Sequence, residues 1–304
     1  MTTLITGATG LIGRRLLENL ADTRVLSRDP SRAAKTLGAG IDAREWAGGD
    51  APLNPEVLDG VDAVIHLAGE PIAASRWNPA QKERIRASRV EGTRALVSAM
   101  AARETRPRVL VCASAIGYYG DRGDEELSED KPPGEGFLSD VCVAWEEVAN
   151  EARALGVRVV TLRIGVVLSM EGGALSEMML PFKMGVGGKL GHGRQWMPWV
   201  HLDDVVGLIE HALTHEPLDG PMNAVAPGVV TNADFTRALG RAIRRPTALF
   251  VPRFALRAAL GELSELLLNS HRVVPTVAQQ TGYSFRFPEI NAALTNCVRP
   301  AGES

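Results

Sequence analysis

Short apolar runs alternate with amphipathic stretches along the first half of the chain. The amphipathic stretches repeat apolar positions every three to four residues, as helices do, whereas the short runs are apolar on both faces, as in a buried parallel sheet. The pattern predicts strands at 4–5, 24–27, 41–46, 109–114 and 157–163, and a strand with the turn that follows it at 61–69. It predicts helices on the segment from Ile12 to Leu20 and over 79–102 and 137–155. This alternation predicts an α/β fold built on a doubly wound parallel sheet.

The pattern changes after Arg163. Glycines are frequent in the next stretch, which we interpret as a loop-rich insertion at about 165–200 that shapes a substrate site. Helical periodicity returns in the last third of the chain, near 232–243, 253–268 and 288–295. We therefore predict two domains: residues 1–220, with the sheet and a dinucleotide site, and residues 221–304, a smaller α-rich C-terminal substrate lobe.

Three glycines follow the first predicted strand at a regular spacing. Gly7, Gly10 and Gly13 stand where a strand ends and an amphipathic helix begins. Glycine at such positions allows a tight turn, a close approach of backbone to a pyrophosphate, and a helix lying close on the sheet. The N–H groups at the start of the helix and the helix dipole then attract phosphate. The motif predicts a dinucleotide site, although the same spacing also occurs in ordinary glycine-rich turns.

The second predicted strand ends at Ser27, and Arg28 follows it. A site for NAD usually has an acidic residue here, which binds the ribose 2′-hydroxyl. A hydroxyl beside a guanidinium instead suits a 2′-phosphate, because arginine matches phosphate geometry. The pair therefore predicts NADP as the cofactor. The alternative is that Arg28 is a solvated surface charge and that Asp29 binds the ribose.

Composition narrows the classes of partner. The 304-residue chain is 45% hydrophobic and 23% charged, with a formal net charge of −3, which gives no basic footprint for nucleic acid or an anionic membrane. No apolar run reaches transmembrane length, and the start has no signal-peptide pattern. Cys112, Cys142 and Cys297 are scattered, which favours reduced thiols over disulfides or a metal site. We expect a cytoplasmic protein whose partner is a small molecule.

Eight motifs are spread over nearly the whole chain. They are HLAGEPIAASRW (66–77), SRVEGT (88–93), SAIGYYG (114–120), GFLSDVCVAWE (136–146), LRIGVVLSMEGGAL (162–175), PFKMGVGGKLGHGRQWMPWVH (181–201), NAVAPGVVTNADF (223–235) and GYSFRFP (282–288). With the glycine motif, they resemble the extended short-chain dehydrogenases/reductases, and within these an atypical branch described as nucleoside-diphosphate-sugar epimerase-like. The resemblance implies a Rossmann-like NADP-binding domain with a small C-terminal domain, and no particular reaction.

The resemblance also implies which residues bind the cofactor. The phosphate loop matches the branch at Gly7, Thr9, Gly10, Leu11, Ile12 and Gly13, and the 2′-phosphate pair matches it at Ser27 and Arg28. The turn beside the ribose matches at Leu67, Ala68, Gly69 and Glu70, and the segment at the end of the sixth strand matches at Arg163 and Val166. Arg89 stands where most extended members carry asparagine, and in this branch it is expected to reach the cofactor. The alternative for Arg89 is a charge on a helix surface.

The usual catalytic pair of these enzymes is missing. They transfer a proton through a tyrosine, helped by a lysine four residues later. No Tyr-x-x-x-Lys occurs here, and Val141 and Trp145 hold the two positions. We take Ser114 and Tyr118 as the catalytic candidates: Ser114 matches a serine that hydrogen-bonds a substrate carbonyl, although it could equally satisfy backbone groups at a strand end. Other substitutes for the missing acid/base are Tyr119, Glu70, Lys183 and His201.

Together these features favour an NADP-dependent oxidoreductase or sugar-nucleotide epimerase that acts on a small, sugar-like molecule without the Tyr–Lys pair. The alternative is a non-catalytic NADP-binding module that reports redox state to a partner protein. Both interpretations leave the oligomeric state open.

Overall fold

The computed structural model describes residues 1–38 and 40–298. Its strands are β1 Thr3–Thr6, β2 Thr23–Ser27, β3 Asp42–Glu45, β4 Ala63–His66, β5 Val109–Ala115, β6 Glu126–Leu127, β7 Arg158–Ile164, β8 Val166–Leu168, β9 Gly188–Leu190, β10 Trp196–Met197, β11 Trp199–His201, β12 Gly220–Ala224, β13 Val230–Thr231, β14 Leu249–Val251 and β15 Arg272–Val273. Its helices are α1 Leu11–Leu17, α2 Pro30–Leu37, α3 Pro79–Ala101, α4 Phe137–Asn150, α5 Gly173–Lys183, α6 Leu202–Thr214, α7 Asn232–Ile243, α8 Arg253–Leu260, α9 Glu265–Leu268, α10 Thr276–Gln280 and α11 Ile290–Val298. Within the described ranges, no helix is long and apolar enough to cross a membrane.

Seven of these strands form the central sheet, in the order β12-β7-β5-β4-β1-β2-β3. β1 pairs in parallel with β2 and β4, β2 pairs with β3, and β4 pairs with β5. β1 and β4 are buried along their whole length, as their continuous apolar runs predict. The strand order changes direction beside β1, and in such sheets ligands bind at the carboxyl ends of the strands at this point. The predicted α/β class and doubly wound parallel sheet are confirmed.

The chain forms two compact units that interleave in sequence. The first unit consists of Met1–Tyr118, Phe137–Arg163 and Val206–Met222. The second consists of Tyr119–Gly136, Ile164–Val205 and the chain from Asn223 onward. The last change of unit, after Met222, lies close to the predicted boundary at 220, but two earlier segments also belong to the second unit. The assignment of residues 221–304 to substrate binding stays a prediction, and positions 299–304 lie outside the described residues.

A buried carboxylate organises part of the second unit. Asp204, at the start of α6, is fully buried. Its Oδ1 accepts hydrogen bonds from the Arg286 N–H at 2.7 Å and the Tyr283 hydroxyl at 3.1 Å. Its Oδ2 accepts one from the Phe287 N–H at 3.0 Å. These bonds hold the motif GYSFRFP (282–288) against α6, a role that sequence patterning did not reveal.

Two predicted helices differ in detail from the structure. The pattern over 253–268 predicted one helix, but α8 ends at Leu260, a 3₁₀ turn covers Gly261–Ser264, and α9 follows. Gly261 has a φ of 61°, which breaks helical geometry. The helix predicted over 137–155 is α-helical only to Asn150, and a 3₁₀ turn continues it over Glu151–Leu155. Gly156 ends this turn in the left-handed region, with a φ of 80°, as predicted.

Candidate functional site

The glycine turn packs so closely that side chains are excluded. Gly7 has a φ of 72°, and a Cβ there would lie 2.8 Å from the backbone of Leu67 and Ala68, in the turn after β4. A Cβ on Gly13 would lie 2.5 Å from the Gly7 carbonyl oxygen. The first and third glycines of the motif therefore allow α1 to lie against β1 and its neighbouring turn, as the spacing predicted.

The middle of the turn has the geometry of a phosphate cradle. Thr9 and Gly10 are exposed. Gly10 is the N-cap of α1 and provides no side-chain acceptor, so the N–H groups of the first helical turn have no capping side chain. Leu11 and Ile12 supply the next backbone N–H groups and are half-buried. Open backbone at a helix start fits a pyrophosphate, because exposed N–H groups and the helix dipole both attract anions.

At the end of β2, Asp29 caps a helix and Arg28 is exposed, and which of them meets a cofactor ribose stays a prediction. The Asp29 carboxylate caps α2, since its Oδ1 accepts a hydrogen bond from the Arg32 N–H at 2.9 Å. The Ser27 hydroxyl donates to the Asp29 carbonyl at 3.1 Å. Arg28 is exposed, and no ion pair within the described residues engages its guanidinium. A solvent-facing guanidinium beside a helix start is a suitable partner for a phosphate monoester.

The turn after β4 is held by α3. The Ser88 hydroxyl accepts a hydrogen bond from the Glu70 N–H at 2.9 Å, and Arg89 Nη1 donates to the Glu70 carbonyl at 3.0 Å. The Arg89 guanidinium lies so close to Gly69 that a Cβ there would be 3.2 Å from its Cζ. Burial lowers the pKa of Arg89, while Cys142 and Glu70 act in the opposite direction. The alternative of a surface charge for Arg89 is wrong, and its contact with a cofactor stays a prediction.

Four buried or half-buried side chains meet at the end of β5, and we call them the Ser–Glu–Arg–Tyr cluster. Ser114 Oγ donates to Glu146 Oε1 at 2.6 Å. Arg163 forms a two-point pair with the same carboxylate, from Nε to Oε1 and from Nη2 to Oε2, both at 2.9 Å. The Cζ of Arg163 lies 3.4 Å from the centroid of the Tyr118 ring. Arg163 and Glu146 are 3% and 8% exposed, so the pair is desolvated.

This geometry defines what each member of the cluster can do. Because the Ser114 proton is donated to Glu146, the Ser114 oxygen can accept a hydrogen bond but cannot also donate one to a substrate carbonyl. The Arg163 guanidinium is occupied by Glu146 on its edge and by Tyr118 on its face, so its predicted contact with the cofactor stays a prediction. Tyr118 is half-buried and keeps part of its surface accessible to a small molecule.

The residues at the two positions of the missing Tyr–Lys pair, and two of the proposed substitutes, are buried or take part in structural hydrogen bonds. Val141 and Trp145 are both buried in the core. The Tyr119 hydroxyl, fully buried in the second unit, donates to Asn223 Oδ1 at 2.8 Å. His201 Nδ1 accepts from the Asp203 N–H at 3.1 Å, as expected of a residue that fixes this turn.

Of three further positions from the sequence, Lys183 and Val166 belong to the second unit, whereas Cys142 lies beside Ser114 and Glu146 of the cluster. Lys183 is exposed at the end of α5. Val166 belongs to β8, which pairs with β11 in the second unit, and its predicted place beside the nicotinamide is untested. Burial, with Glu146 nearby, raises the pKa of Cys142 to about 11, so its thiol stays protonated at neutral pH.

Sequence reasoning missed Glu146 as a site residue, although a signal was present. Glu146 ends the motif GFLSDVCVAWE and follows Trp145 in α4. It lies four residues after Cys142, on the buried and mostly apolar face of the helix. A carboxylate at such a position needs a charged or hydrogen-bonding partner. Read in this way, the sequence would have predicted a buried partner for Glu146.

Comparison with known proteins places this geometry in a family. A model of the NAD dependent epimerase/dehydratase family matches residues 3–224. A model of a domain of unknown function, DUF1731, matches residues 251–297. Epimerase family protein Mb2239 of Mycobacterium bovis is 41% identical over 293 residues, 95% of each protein. The chloroplastic epimerase family protein SDR39U1 homolog of Arabidopsis thaliana is 41% identical over 307 residues, 97% of this chain and 86% of the relative.

A solved structure supports the same relationship. The human epimerase family protein SDR39U1 (isoform 2), crystallised with NADPH, is 33% identical and superposes with a TM-score of 0.86. The match covers 99% of this chain and all of the human one. The predicted resemblance to an epimerase-like branch with a small C-terminal domain is thereby confirmed. The chain belongs to the NAD dependent epimerase/dehydratase family.

Proposed function

We propose that the protein binds NADPH and uses it in an oxidoreductase or epimerase reaction on a small, sugar-like molecule. The glycine turn fits a pyrophosphate, and the human relative was crystallised with NADPH. The choice of NADPH over NADH rests on one observation, the exposed guanidinium of Arg28 beside an Asp29 carboxylate that already caps α2. When bound, the cofactor supplies or accepts a hydride, and the protein must move the accompanying proton.

The Ser–Glu–Arg–Tyr cluster is the place where we propose that this proton moves. Of the two hydroxyl-bearing side chains of the cluster, Ser114 is 3% exposed and donates its proton to Glu146, whereas Tyr118 is half-buried. We therefore propose that Tyr118 Oη gives or takes the proton. Arg163 holds the ring from one face, and Glu146 holds Arg163. Ser114 contributes an acceptor oxygen toward a substrate hydroxyl, because its own proton is committed to Glu146.

Cofactor titrations test the first part of the proposal. Removing a charge-assisted contact to the 2′-phosphate costs about 1.5–3 kcal/mol, so Arg28→Asp should weaken NADPH binding by roughly 10- to 100-fold. Binding of NADH, which lacks this phosphate, should change little. Isothermal titration calorimetry of both cofactors with the wild type and the variant measures the difference.

A matched control is available at the opposite edge of the sheet. Arg108 is also exposed, and it immediately precedes β5, away from the carboxyl ends of the strands. Arg108→Asp makes the same change of charge and should leave both affinities unchanged. An equal loss of NADH and NADPH affinity in Arg28→Asp would refute the assignment of the 2′-phosphate site.

Hydride transfer is tested with NADPH deuterated at C4 and a panel of carbonyl compounds and nucleotide sugars. Mass spectrometry should detect deuterium in a product formed by the wild type. Tyr118→Phe, which loses only the hydroxyl, should lower this transfer by about 100-fold or more while NADPH affinity is retained. Tight NADPH binding without transfer to any compound of the panel would instead favour the non-catalytic NADP-binding module, for which the missing Tyr–Lys pair is the motivating observation.

A further inference from the structure

Arginines are concentrated in one stretch of the second unit, and none of them has a role in the proposed reaction. Residues 235–261 contain six arginines and no acidic residue, although the whole chain has a formal net charge of −3. Helix α11, which packs against α7, contains no charged residue. The surface formed by these two helices is therefore predominantly positive, opposite in sign to the chain as a whole.

Four of the six arginines line two adjoining cavities, which we call the arginine groove. The wall of the first cavity, which has a volume of about 420 Å³, contains Arg237, Arg241, Arg244 and Arg245. Arg241 and Arg244 also line the second cavity, of about 260 Å³, together with Asn291 of α11. Small-molecule sites have volumes of about 300–1,000 Å³, so the groove suits a small ligand better than a flat partner.

Hydrogen bonds fix part of the groove. The Arg245 N–H donates to the Gly240 carbonyl at 2.9 Å, which folds the turn after α7 back onto the helix. The turn packs so closely that a Cβ on Gly240 would lie 2.5 Å from Thr247 Cγ2. Arg241 Nη2 donates to Asn291 Oδ1 at 2.8 Å, which directs this guanidinium toward α11. A site that is partly formed before the ligand arrives loses less conformational entropy on binding.

Two of the four guanidinium groups are available for a ligand. Arg237 forms an ion pair with Asp234 on the same helix. Arg244 and Arg245 are both exposed, and in the part of the chain that the structure describes no hydrogen bond or ion pair engages their side chains. These two groups can therefore bind an anion without first breaking a contact within the protein.

Arg244 has a backbone conformation that is unfavourable for arginine. It is the C-cap of α7, with a φ of 56° and a ψ of 47°. Among the described residues it is the only one other than glycine with a positive φ. Glycine or asparagine usually occupies such a position, because a Cβ is strained there. Strain of this kind is found at functional sites, and here it indicates a role for the side chain that glycine could not fill.

The chemistry of the groove selects phosphate. A guanidinium matches the geometry of phosphate and binds it through two parallel hydrogen bonds. Positions 237, 241 and 244 extend over about 10 Å of the helix, so a chain of phosphate groups can contact more of the arginines than a single phosphate can. A long polyanion or an anionic membrane would meet the net negative charge of the whole chain. We propose that the arginine groove binds a small ligand with several linked phosphate groups, as in inorganic polyphosphate or a nucleoside triphosphate.

The experiment is a calorimetric titration of the full chain at about 0.1 M ionic strength. Sodium tripolyphosphate should bind at least about 10-fold more tightly than inorganic phosphate, because it contacts several guanidinium groups at once. ATP is the second probe. Equal affinities for ATP and tripolyphosphate would assign recognition to the phosphates alone, and tighter binding of ATP would assign the groove to a nucleotide.

Substitutions locate the binding site. Arg244→Gly and Arg245→Ala should each weaken tripolyphosphate binding by about 10-fold, the loss expected for one charge-assisted contact, and the double variant by about 100-fold. Arg257→Ala removes an exposed arginine of α8 that lies outside the groove and should leave the affinity unchanged. Arg28→Asp should also leave it unchanged, because Arg28 belongs to the proposed cofactor site.

Urea unfolding separates ligand binding from a role in capping the helix. Glycine relieves the strain at position 244, so Arg244→Gly should unfold at a higher urea concentration than the wild type while it binds tripolyphosphate less well. A cation at the C-terminal end of a helix also interacts favourably with the helix dipole. A variant that unfolds at a lower urea concentration and binds like the wild type would assign Arg244 to the helix end and overturn the proposal.

Three further outcomes would overturn it. The first is a wild-type protein that does not bind tripolyphosphate. The second is binding that Arg28→Asp abolishes and the groove substitutions leave intact, because the ligand then occupies the cofactor site. The third is a protein that ignores tripolyphosphate but co-sediments with phosphatidylglycerol vesicles unless Arg244 and Arg245 are replaced, since the arginines would then bind a lipid surface.

Discussion

The buried pair of Glu146 and Arg163 allows a sharp test of the cluster. Glu146→Gln keeps the size of the side chain and leaves an acceptor for Ser114, but it removes the negative charge. Arg163, which is 3% exposed, then keeps a desolvated positive charge without its counterion. Breaking a buried pair by removal of one partner costs about 3–5 kcal/mol, a large fraction of the 5–15 kcal/mol that stabilises a typical protein. We expect the free energy of unfolding to fall by about this amount.

Urea unfolding followed by tryptophan fluorescence measures the change, because Trp145 precedes Glu146 and is buried beside it. The neighbouring Glu147 gives a matched control, since it is the same residue type in the same helix but is exposed. Glu147→Gln should change the free energy of unfolding by less than about 0.5 kcal/mol. The double variant Glu146→Gln/Arg163→Met removes both charges and should recover more than half of the loss.

Two results would refute this reasoning. A loss below about 1 kcal/mol in Glu146→Gln would mean that water already solvates the pair, contrary to its burial. A double variant that is no more stable than Glu146→Gln alone would mean that the unpaired charge is not the source of the cost. Either result would leave the Ser–Glu–Arg–Tyr cluster without the rigid support that its proposed role requires.

Three more predictions follow from the buried groups. Burial lowers the pKa of His66 from 6.5 to about 4, so the unfolded chain binds the proton first and stability is lost as the pH falls below 6.5. Between pH 7 and pH 5 the loss should be about 2 kcal/mol, and His66→Gln should flatten the pH dependence of the urea midpoint by this amount; an unchanged slope would contradict the assignment. Gly13→Ala should destabilise the protein by about 1–3 kcal/mol and weaken NADPH binding in calorimetry. Gly92→Ala is the control and should be neutral or stabilising, because a Cβ there meets only ordinary contacts at 3.7 Å. Equal effects of the two substitutions would argue against a tight turn at Gly13. Asp204→Asn should lower the free energy of unfolding by about 2–3 kcal/mol and speed proteolysis near Tyr283, because the N–H groups of Arg286 and Phe287 lose a charged acceptor. Asp203→Asn is the control and should have smaller effects. Similar proteolysis rates for the two variants would show that Asp204 does not hold this segment.

The sheet and the glycine turn could be predicted from sequence because both depend on local patterns. Continuous apolar runs identify buried parallel strands, and the requirement for glycine at Gly7 and Gly13 follows from one strand–turn–helix unit. Asp29 shows the limit of this reasoning. A single acid after a strand could bind a ribose or cap a helix, and the sequence alone does not reveal the cap that Asp29 forms with the Arg32 N–H.

Long-range pairs could not be predicted in the same way. Ser114, Glu146 and Arg163 come from β5, α4 and β7, and their contact depends on how these elements pack. Periodicity indicates that a residue faces the core, but it does not indicate which partner it meets there. The same holds for Asp204, whose backbone partners follow about 80 residues later in the chain.

The interleaving of the two units has a consequence for synthesis on the ribosome. The first unit is not complete until Met222 has been translated, because it draws its last segment from Val206–Met222. Tyr119–Gly136 emerges early but belongs to a unit whose largest portion starts at Asn223. A nascent chain therefore holds both units partly assembled from the synthesis of Tyr119 until that of Met222. A gene cut at codon 220 would leave Tyr119–Gly136 and Ile164–Val205, which belong to the second unit, attached to the first.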